Sequence, residues 1–383
     1  MAPAESKRPI ILVTNDLGPH AGGIETFLIG LIDELDGSQI VIYTSSESGS
    51  AEFDKQLEAR TKVRVIRDKS KMLLPTPRVI KEIKKVIRTY GSEIAWFGAA
   101  APLAAMAPNL RAAGIKRVVA ISHGHEVWWA KIPPFSFVMR KIGNSCDVVT
   151  YLGAFTRDAM KRALGKRVQL IHIAPGISID NFQPGEKPHD LVEKYGLAGS
   201  PTIVCVGRLV LRKGQDKLIK ALPKIKNEIP NVKLVIVGKG KLENKLKRLA
   251  KRLNVLESVI FVGRVDYKDL PKYFRLGDIF AMPSRSRLLG LEVEGLGIVY
   301  LEASASGIPV VGGISGGAPD AVLVGETGYV ADGRDTSDIA KHITYLLKDL
   351  NHAKELGVNG RKWAETNWSW KLWGQRFEEV LKG

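Results

Sequence analysis

The sequence predicts an α/β chain built from two successive doubly wound parallel sheets. Three observations carry the prediction. Short β-branched and aliphatic runs recur between amphipathic stretches, as buried parallel strands joined by crossover helices do. The pattern restarts after a connection marked by Pro and Gly, "PGISIDNFQPGEKP". Finally, 383 residues at 45% hydrophobic content are too many for one ordinary core and apolar enough for two.

In chain order, the first set of strands reads "PIILVTND", "QIVIYTS", "KVRVIR", "EIAWFG", "RVVAISHG", "DVVTYLG" and "VQLIHIAPG". The second reads "PTIVCVGRL", "VKLVIVGKG", "VIFVGRV", "IFAMPS" and "IPVVGG". Two such sheets place their ligand sites at the C-terminal ends of the strands, in a cleft between facing domains. The expected division is a polar leader over 1–8, a first domain over 9–180, a second over 181–363, and a C-terminal helix over 364–383 that packs back on the first. The Trp368, Trp370 and Trp373 side chains of that last segment read as packing surface.

Composition narrows the function. Lys and Arg number 57 against 40 Asp and Glu, a net charge of +17 that points to an anionic partner. The two cysteines, Cys146 and Cys205, lie far apart in apolar contexts, so neither a disulfide framework nor a zinc site is expected, and a reducing cytoplasmic setting is. No run approaches the roughly 18 apolar residues of a membrane span, and "MAPAESKRP" lacks the apolar core of a signal peptide, so any membrane contact is expected to be peripheral.

The strand ends carry the chemistry. In "EVEGLGIVYLEASASG", Gly295 and Gly297 allow a tight turn into a helix whose first N–H groups, around Leu296 and Ile298, have no partner within it. Such a terminus attracts a diphosphate. Glu302, one turn inside the helix, leans back toward its start and can accept from ribose hydroxyls, while Glu294 can do the same for a sugar. Arg208 and Lys213 in "VGRLVLRKGQD" can neutralise a departing diphosphate, the electrostatic task a metal ion otherwise performs. No Asp-x-Asp or His-rich cluster suggests such a metal. In "NDLGPHAGGIETF", Gly22 and Gly23 let the backbone approach a ligand before a helix that starts near Ile24; in "AISHGHEVWW", His123 and His125 end a strand, where a His can orient a sugar hydroxyl. Each motif also has a plain structural explanation taken alone, as a βα connection, a solvated basic pair or a structural histidine.

Together, "EVEGLGIVYLEASASGIPVV", "GRLVLRKGQD", "HGHEV", "AGGIE" and "GISGGAPD" resemble the retaining glycosyltransferases of family four, over essentially the whole chain after the leader. The most specific element is Glu-x7-Glu, here Glu294 and Glu302. "WFGAAAPLA", "LPTP" and "FAMPSRSRLLGLEVEGLGIVYLEA" are similar to the branch that mannosylates phosphatidylinositol mannosides in mycobacteria and corynebacteria. The resemblance implies the GT-B architecture, two facing Rossmann-like domains with an interdomain cleft, and a GDP-mannose donor bound without a metal or other cofactor. Residue by residue, it implies Gly23 beside the donor phosphates, His123 beside the transferred sugar, Arg208 and Lys213 on the diphosphate, Glu294 on mannose and Glu302 on ribose. The base would meet backbone around Gly263 and Arg264. Asp320 stands where the family more often has Glu, and Gly153 where it often has Ser.

The implied reaction is retention at the anomeric carbon without a protein nucleophile, the acceptor hydroxyl attacking the face the diphosphate leaves. A phospholipid or glycolipid acceptor would bring the protein to the inner leaflet. The expected contacts are the basic face of "RVIKEIKKVIRTYG", opposite Val79, Ile80, Ile83, Val86 and Ile87, and Phe135, Phe137 and Val138 of "AKIPPFSFVMRKIG". "KLENKLKRLAKRLN" is amphipathic in the same way, with Leu242, Leu246, Leu249 and Leu253 on its apolar face. Two alternatives stay open, a UDP-sugar-dependent enzyme of the same family and a non-catalytic sugar-nucleotide binder. A nicotinamide oxidoreductase would need a G-x-G-x-x-G after a strand, and a nucleic-acid binder a recognised module with aromatics among its basic runs; neither pattern is present.

Overall fold

A computed structural model describes residues 9–19 and 22–383; the expected leader over 1–8, and His20 and Ala21 of the first glycine motif, lie outside the described residues. The chain forms two compact units, one running to Gly176 and taking back Trp370–Gly383, the other Ile177–Ser369. The sequence-based boundaries stood at 180/181 and 363/364.

Unit 1 holds seven strands: β1 Ile10–Thr14, β2 Ile40–Thr44, β3 Arg64–Arg67, β4 Ile94–Phe97, β5 Arg117–Ala120, β6 Val148–Tyr151 and β7 Gln169–His172. They lie side by side in the order β3-β2-β1-β4-β5-β6-β7, all parallel. The chain starts in the middle of its sheet and winds outward in both directions. β1, β2 and β4 are buried along their whole length. The edge strands β3 and β7 stay half-exposed, which is where polar Arg64 and Gln169 are tolerated.

The helix Trp370–Lys382 closes this unit. Trp373 and Phe377 are buried, and the Phe377 ring packs 4.8 Å from Trp96. The Trp370 ring lies over Gly30, where an added Cβ would come within 2.3 Å of it, so the bare glycine makes room for the aromatic. The helix Pro77–Tyr90 is capped by Thr76 and buries Val79, Ile83 and Ile87. Ile80 and Val86 pack on the same core, which leaves the basic side outward. The segment expected to insert in a membrane differs in exposure along its length. Phe135 packs 5.0 Å from Trp128 and 4.9 Å from Trp129, Val138 packs on the core, and Phe137 stays 73% exposed.

Unit 2 holds β8 Thr202–Val206, β9 Lys233–Val237, β10 Val259–Gly263, β11 Ile279–Ala281, β12 Val310–Gly313 and β13 Gly328–Ala331 in the parallel order β10-β9-β8-β11-β12-β13. All twelve strands expected from sequence are present; the unforeseen one is β13, four residues that open on Gly and leave only Tyr329, Val330 and Ala331 as an apolar run. Phe182, Phe274, Phe280 and Tyr300 form an aromatic chain through the core at 5.6, 5.6 and 5.9 Å. Arg361 ties three segments together, its Nη1 donating to the carbonyls of Ile179, Phe182 and Ala305. In the helix Glu243–Arg252, Leu246 and Leu249 are buried. Among the described residues no helix is long and apolar enough to cross a membrane.

Candidate functional site

In unit 2, the loop after β8 runs through Arg208 to a short turn, Leu211–Lys213, and then into the helix Gln215–Glu228. Gln215 Nε2 donates to the Arg208 carbonyl at 3.2 Å and stiffens the loop. Arg208 itself is exposed, whereas Lys213 is buried, 8% accessible. Burying an ammonium demands a partner. It has one: Lys213 Nζ is 2.9 Å from Glu294 Oε2, and Arg212 Nε is 3.8 Å from the same oxygen.

Glu294 is held from behind. Its backbone N–H donates to Ser315 Oγ at 3.0 Å, and its carbonyl accepts from Gly317 N at 2.9 Å. Gly316 sits at φ +56°, and a Cβ there would lie 2.1 Å from the Glu294 carbonyl oxygen, so only glycine lets the two loops approach. Gly297, at φ +84°, then turns the chain into the helix Ile298–Ala305; a Cβ on it would strike the Tyr300 ring at 2.4 Å. Tyr300 is pinned in turn, its hydroxyl donating to the Met282 carbonyl at 2.7 Å and lying 2.9 Å from Ser284 Oγ. Among the described residues, the backbone N–H groups of Gly295, Leu296, Gly297 and Ile298 have no protein acceptor. Four consecutive free amides at a helix start are an anion receptor.

Glu302 follows one turn inside that helix and is 3% exposed. Burial pushes its carboxyl up to about 7, against the pull of the Tyr267 hydroxyl hydrogen bond and of the Lys213 charge. Lys213 thus pairs directly with Glu294, while its charge is only the smallest of the influences on Glu302. Tyr267, whose ring is half-exposed while its hydroxyl end reaches Glu302 and Ser178, was not foreseen, nor was Arg212. Nothing in "VDYKD" marks the tyrosine; Arg212 could have been found as the neighbour of Lys213. Gly263 ends β10 at φ +87° with its carbonyl accepting from Gly238 N at 2.7 Å, and Arg264 beside it is exposed. A second basic residue supports the loop: Arg285 Nη2 pairs with Asp216 Oδ2 at 2.9 Å, and its N–H donates to the Arg212 carbonyl at 2.8 Å.

In unit 1, β5 ends in "SHGHE". His123 Nε2 lies 2.5 Å from the Gly98 carbonyl, and its backbone N–H donates to Glu126 Oε2 at 3.0 Å. A carbonyl oxygen can only accept, so Nε2 carries the proton and Nδ1 keeps a free lone pair. Burial holds the imidazole below its ordinary pKa, which keeps it neutral and an acceptor at Nδ1. The Phe27 ring, 5.7 Å away edge-on, fixes the plane.

Glu126 is fully buried, and its Oε1 has no hydrogen-bond partner, with His125 Nε2 3.5 Å away. Asp16 at the end of β1 has its carboxyl raised by burial, then by Glu25 and Glu126. This acidic group was missed from sequence, although Glu126 lies three residues beyond His123 and one turn separates their roles. Gly22 is extended at φ −133° and precedes the helix Gly23–Asp33; a Cβ on Gly23 would meet nothing within 4 Å. Backbone there is open to a ligand. Gly153 caps the helix Ala154–Leu164, its carbonyl accepting from Thr156 Oγ1 at 2.9 Å. Asp320 Oδ2 is buried without a hydrogen-bond partner.

Comparison with known proteins converges on one family. The family described as "Glycosyl transferases group 1" matches residues 190–363, and "Glycosyltransferase Family 4" matches residues 21–181. A Mycolicibacterium smegmatis protein named GDP-mannose-dependent alpha-(1-6)-phosphatidylinositol monomannoside mannosyltransferase is 44% identical over 98% of both chains. A Corynebacterium glutamicum protein named as the mannosyltransferase of the monoacylated form is 40% identical, again over 98% of both. Among solved structures, Anabaena HepE in complex with UDP superposes with a TM-score of 0.81 at 19% identity, covering 98% of this chain and 99% of that one, which shows a shared fold. Near full-length identity at this level, with both Rossmann-like sheets in place, makes the protein a family-four glycosyltransferase of GT-B fold.

Proposed function

We propose that the protein transfers mannose from GDP-mannose, with retention of configuration, to a phosphatidylinositol mannoside-type glycolipid at the membrane surface. The observation that carries the reading is the buried Lys213–Glu294 ion pair, beside a helix that starts with four unpaired amides and holds the buried Glu302. The names of the full-length relatives supply the donor and the acceptor class.

In this reading the amides of Gly295 to Ile298, with Arg208, Lys213 and Arg212, hold the diphosphate and stabilise its charge as it leaves. That assigns to fixed cations the task a metal would perform, so transfer should persist in a chelator. Glu302 accepts from the ribose hydroxyls, backbone around Gly263 and Arg264 meets the base, and Gly23 lets backbone approach the phosphates. Glu294 accepts from the mannose hydroxyls, which requires Lys213 to release part of its hold when the phosphate arrives. His123 Nδ1 accepts from a further sugar hydroxyl. The acceptor hydroxyl attacks the anomeric carbon from the side the diphosphate leaves, the carbon–oxygen bond to phosphate breaks, and the departing phosphate oxygen takes the proton. No protein carboxylate is assigned as nucleophile.

The protein works on the cytoplasmic face as a peripheral enzyme in this reading. The basic side of Pro77–Tyr90 and the exposed Phe137 are the unit 1 contacts. Calorimetric titration with GDP, UDP, ADP and NAD in parallel tests the donor. Preferential GDP binding, weakened by both Lys213→Ala and Glu302→Ala, is the expected result, followed by mannose transfer to the lipid. Preference for UDP would move the enzyme to another sugar, and binding of NAD alone would overturn the donor site.

A further inference from the structure

Between β11 and Glu294 the chain makes a short hairpin, "RLLGLE", that has no place in the chemistry above. Its base is closed: Arg287 N donates to the Glu292 carbonyl at 2.9 Å, Glu292 N to the Arg287 carbonyl at 3.2 Å, and the side chains form an ion pair at 2.7 Å. Its tip is apolar and outward. Leu289 is 99% exposed, Leu288 64% and Leu291 40%.

The tip is also strained. Leu288 and Leu289 both adopt left-handed backbone, φ +50° and +54°, a region that leucine rarely visits. Two adjacent leucines therefore cost the fold twice, in backbone energy and in exposed hydrocarbon, at a site only five residues from Glu294. A convex tip cannot enclose a ligand, but it can enter an apolar layer. Glu292 balances the charge of Arg287, and the exposed Arg334, whose Nη2 lies 3.4 Å from the Ser286 carbonyl, adds a cation behind the tip. Apolar residues at the tip with Arg334 behind them match hydrocarbon beneath anionic headgroups.

We propose that the Arg287–Glu292 loop is a hook that inserts into an anionic bilayer and seats unit 2 there beside Glu294. The inference rests on the lipid-acceptor reading above and extends it: unit 2 carries a membrane contact of its own, independent of the basic helix of unit 1. The closed base transmits the position of the tip to the backbone that leads into Glu294.

The test places a reporter on the tip. Cys146 and Cys205 are both buried, so Leu289→Cys in the full chain can be labelled with an environment-sensitive fluorophore. Vesicles of phosphatidylcholine mixed with phosphatidylglycerol should shift its emission to the blue, and vesicles of phosphatidylcholine alone should do so less. In a second, unlabelled protein, Leu288→Ser with Leu289→Ser should weaken binding to the mixed vesicles by about tenfold. An unchanged spectrum with both vesicles, or a double variant that binds as well as wild type, overturns the hook. So does a blue shift without lipid that grows with protein concentration, which would mark protein as the occupant. GDP titration of the same samples keeps the two readings apart: lost lipid response with GDP binding intact sinks the hook alone, and lipid response without GDP binding sinks the donor assignment alone.

Discussion

The two units are built alike and end their strands on opposite charge. In unit 1 burial and then the carboxylates of Glu25 and Glu126 raise that of Asp16, and the Oε1 of buried Glu126 has no hydrogen-bond partner. In unit 2 the buried carboxylate, Glu294, faces Lys213 at 2.9 Å and Arg212 at 3.8 Å. One topology thus yields a site suited to hydroxyl groups, which can donate to carboxylates, and a site suited to phosphates. The difference teaches that a doubly wound sheet supplies a place for chemistry and the loops supply its sign.

The sharpest way to break the comparison is to remove the cation of unit 2. Lys213→Ala should lower kcat/KM by about a hundred- to a thousandfold, the scale of losing one stabilising group at a developing negative charge. Glu294→Ala combined with it should cost much less than the product of the two single effects, because the residues act as a pair. Strict additivity in that cycle would show that the ion pair has no functional meaning.

Unit 1 gives a smaller effect. Glu126→Leu removes the acceptor of the His123 N–H, and the displaced imidazole should cost about tenfold to a hundredfold in transfer while GDP affinity stays constant. Glu126→Gln keeps an acceptor and should recover most of the rate. If both variants lose activity equally, positioning of His123 is not the role of Glu126.

Glu302 sharpens the comparison through pH. In the proposed function the ionised carboxylate accepts from the ribose, so GDP binding should tighten as pH rises through about 7 and Glu302→Gln should flatten the profile. The stability effect runs the other way in the free protein. The folded state holds this proton more tightly than the unfolded state, whose carboxyl titrates near 4.5, so the contribution is fully present below that pH and is lost as pH rises through about 7. The full difference is on the order of 3 kcal/mol. Urea unfolding of wild type and Glu302→Gln across this range measures it; parallel slopes for the two proteins would count against a buried, raised carboxyl.

The smallest expected effect tests the scaffold rather than the charge. Gly316→Ala forces a Cβ against the Glu294 carbonyl and holds alanine at φ +56°, which should destabilise unit 2 by about 1–3 kcal/mol. Thermal unfolding reports it, and a variant as stable as wild type would mean the two loops can move apart freely.

Much of this molecule was legible before any coordinates. Most of its strands, such as β1, β2 and β4, are continuous apolar runs, and such runs declare themselves because both faces of a parallel sheet are covered. β13 escaped because its apolar run after the opening Gly is only Tyr329, Val330 and Ala331. Glu294, Glu302 and Lys213 could be singled out because strand ends and glycine turns are local features. Tyr267 and Asp16 could not, since each matters only through a neighbour brought to it by folding.

Sequence by itself therefore determined the two sheets, the residues at their strand ends and the family, all of which rest on periodicity and short motifs. Tertiary structure decided that a buried lysine pairs with Glu294, that Phe135 packs while Leu289 projects, and that the two units differ in the sign of their sites. The physical reason is range. Periodicity is set by neighbours along the chain, whereas burial and charge pairing arise between residues such as Lys213 and Glu294, far apart in sequence and joined only when loops from different strands meet.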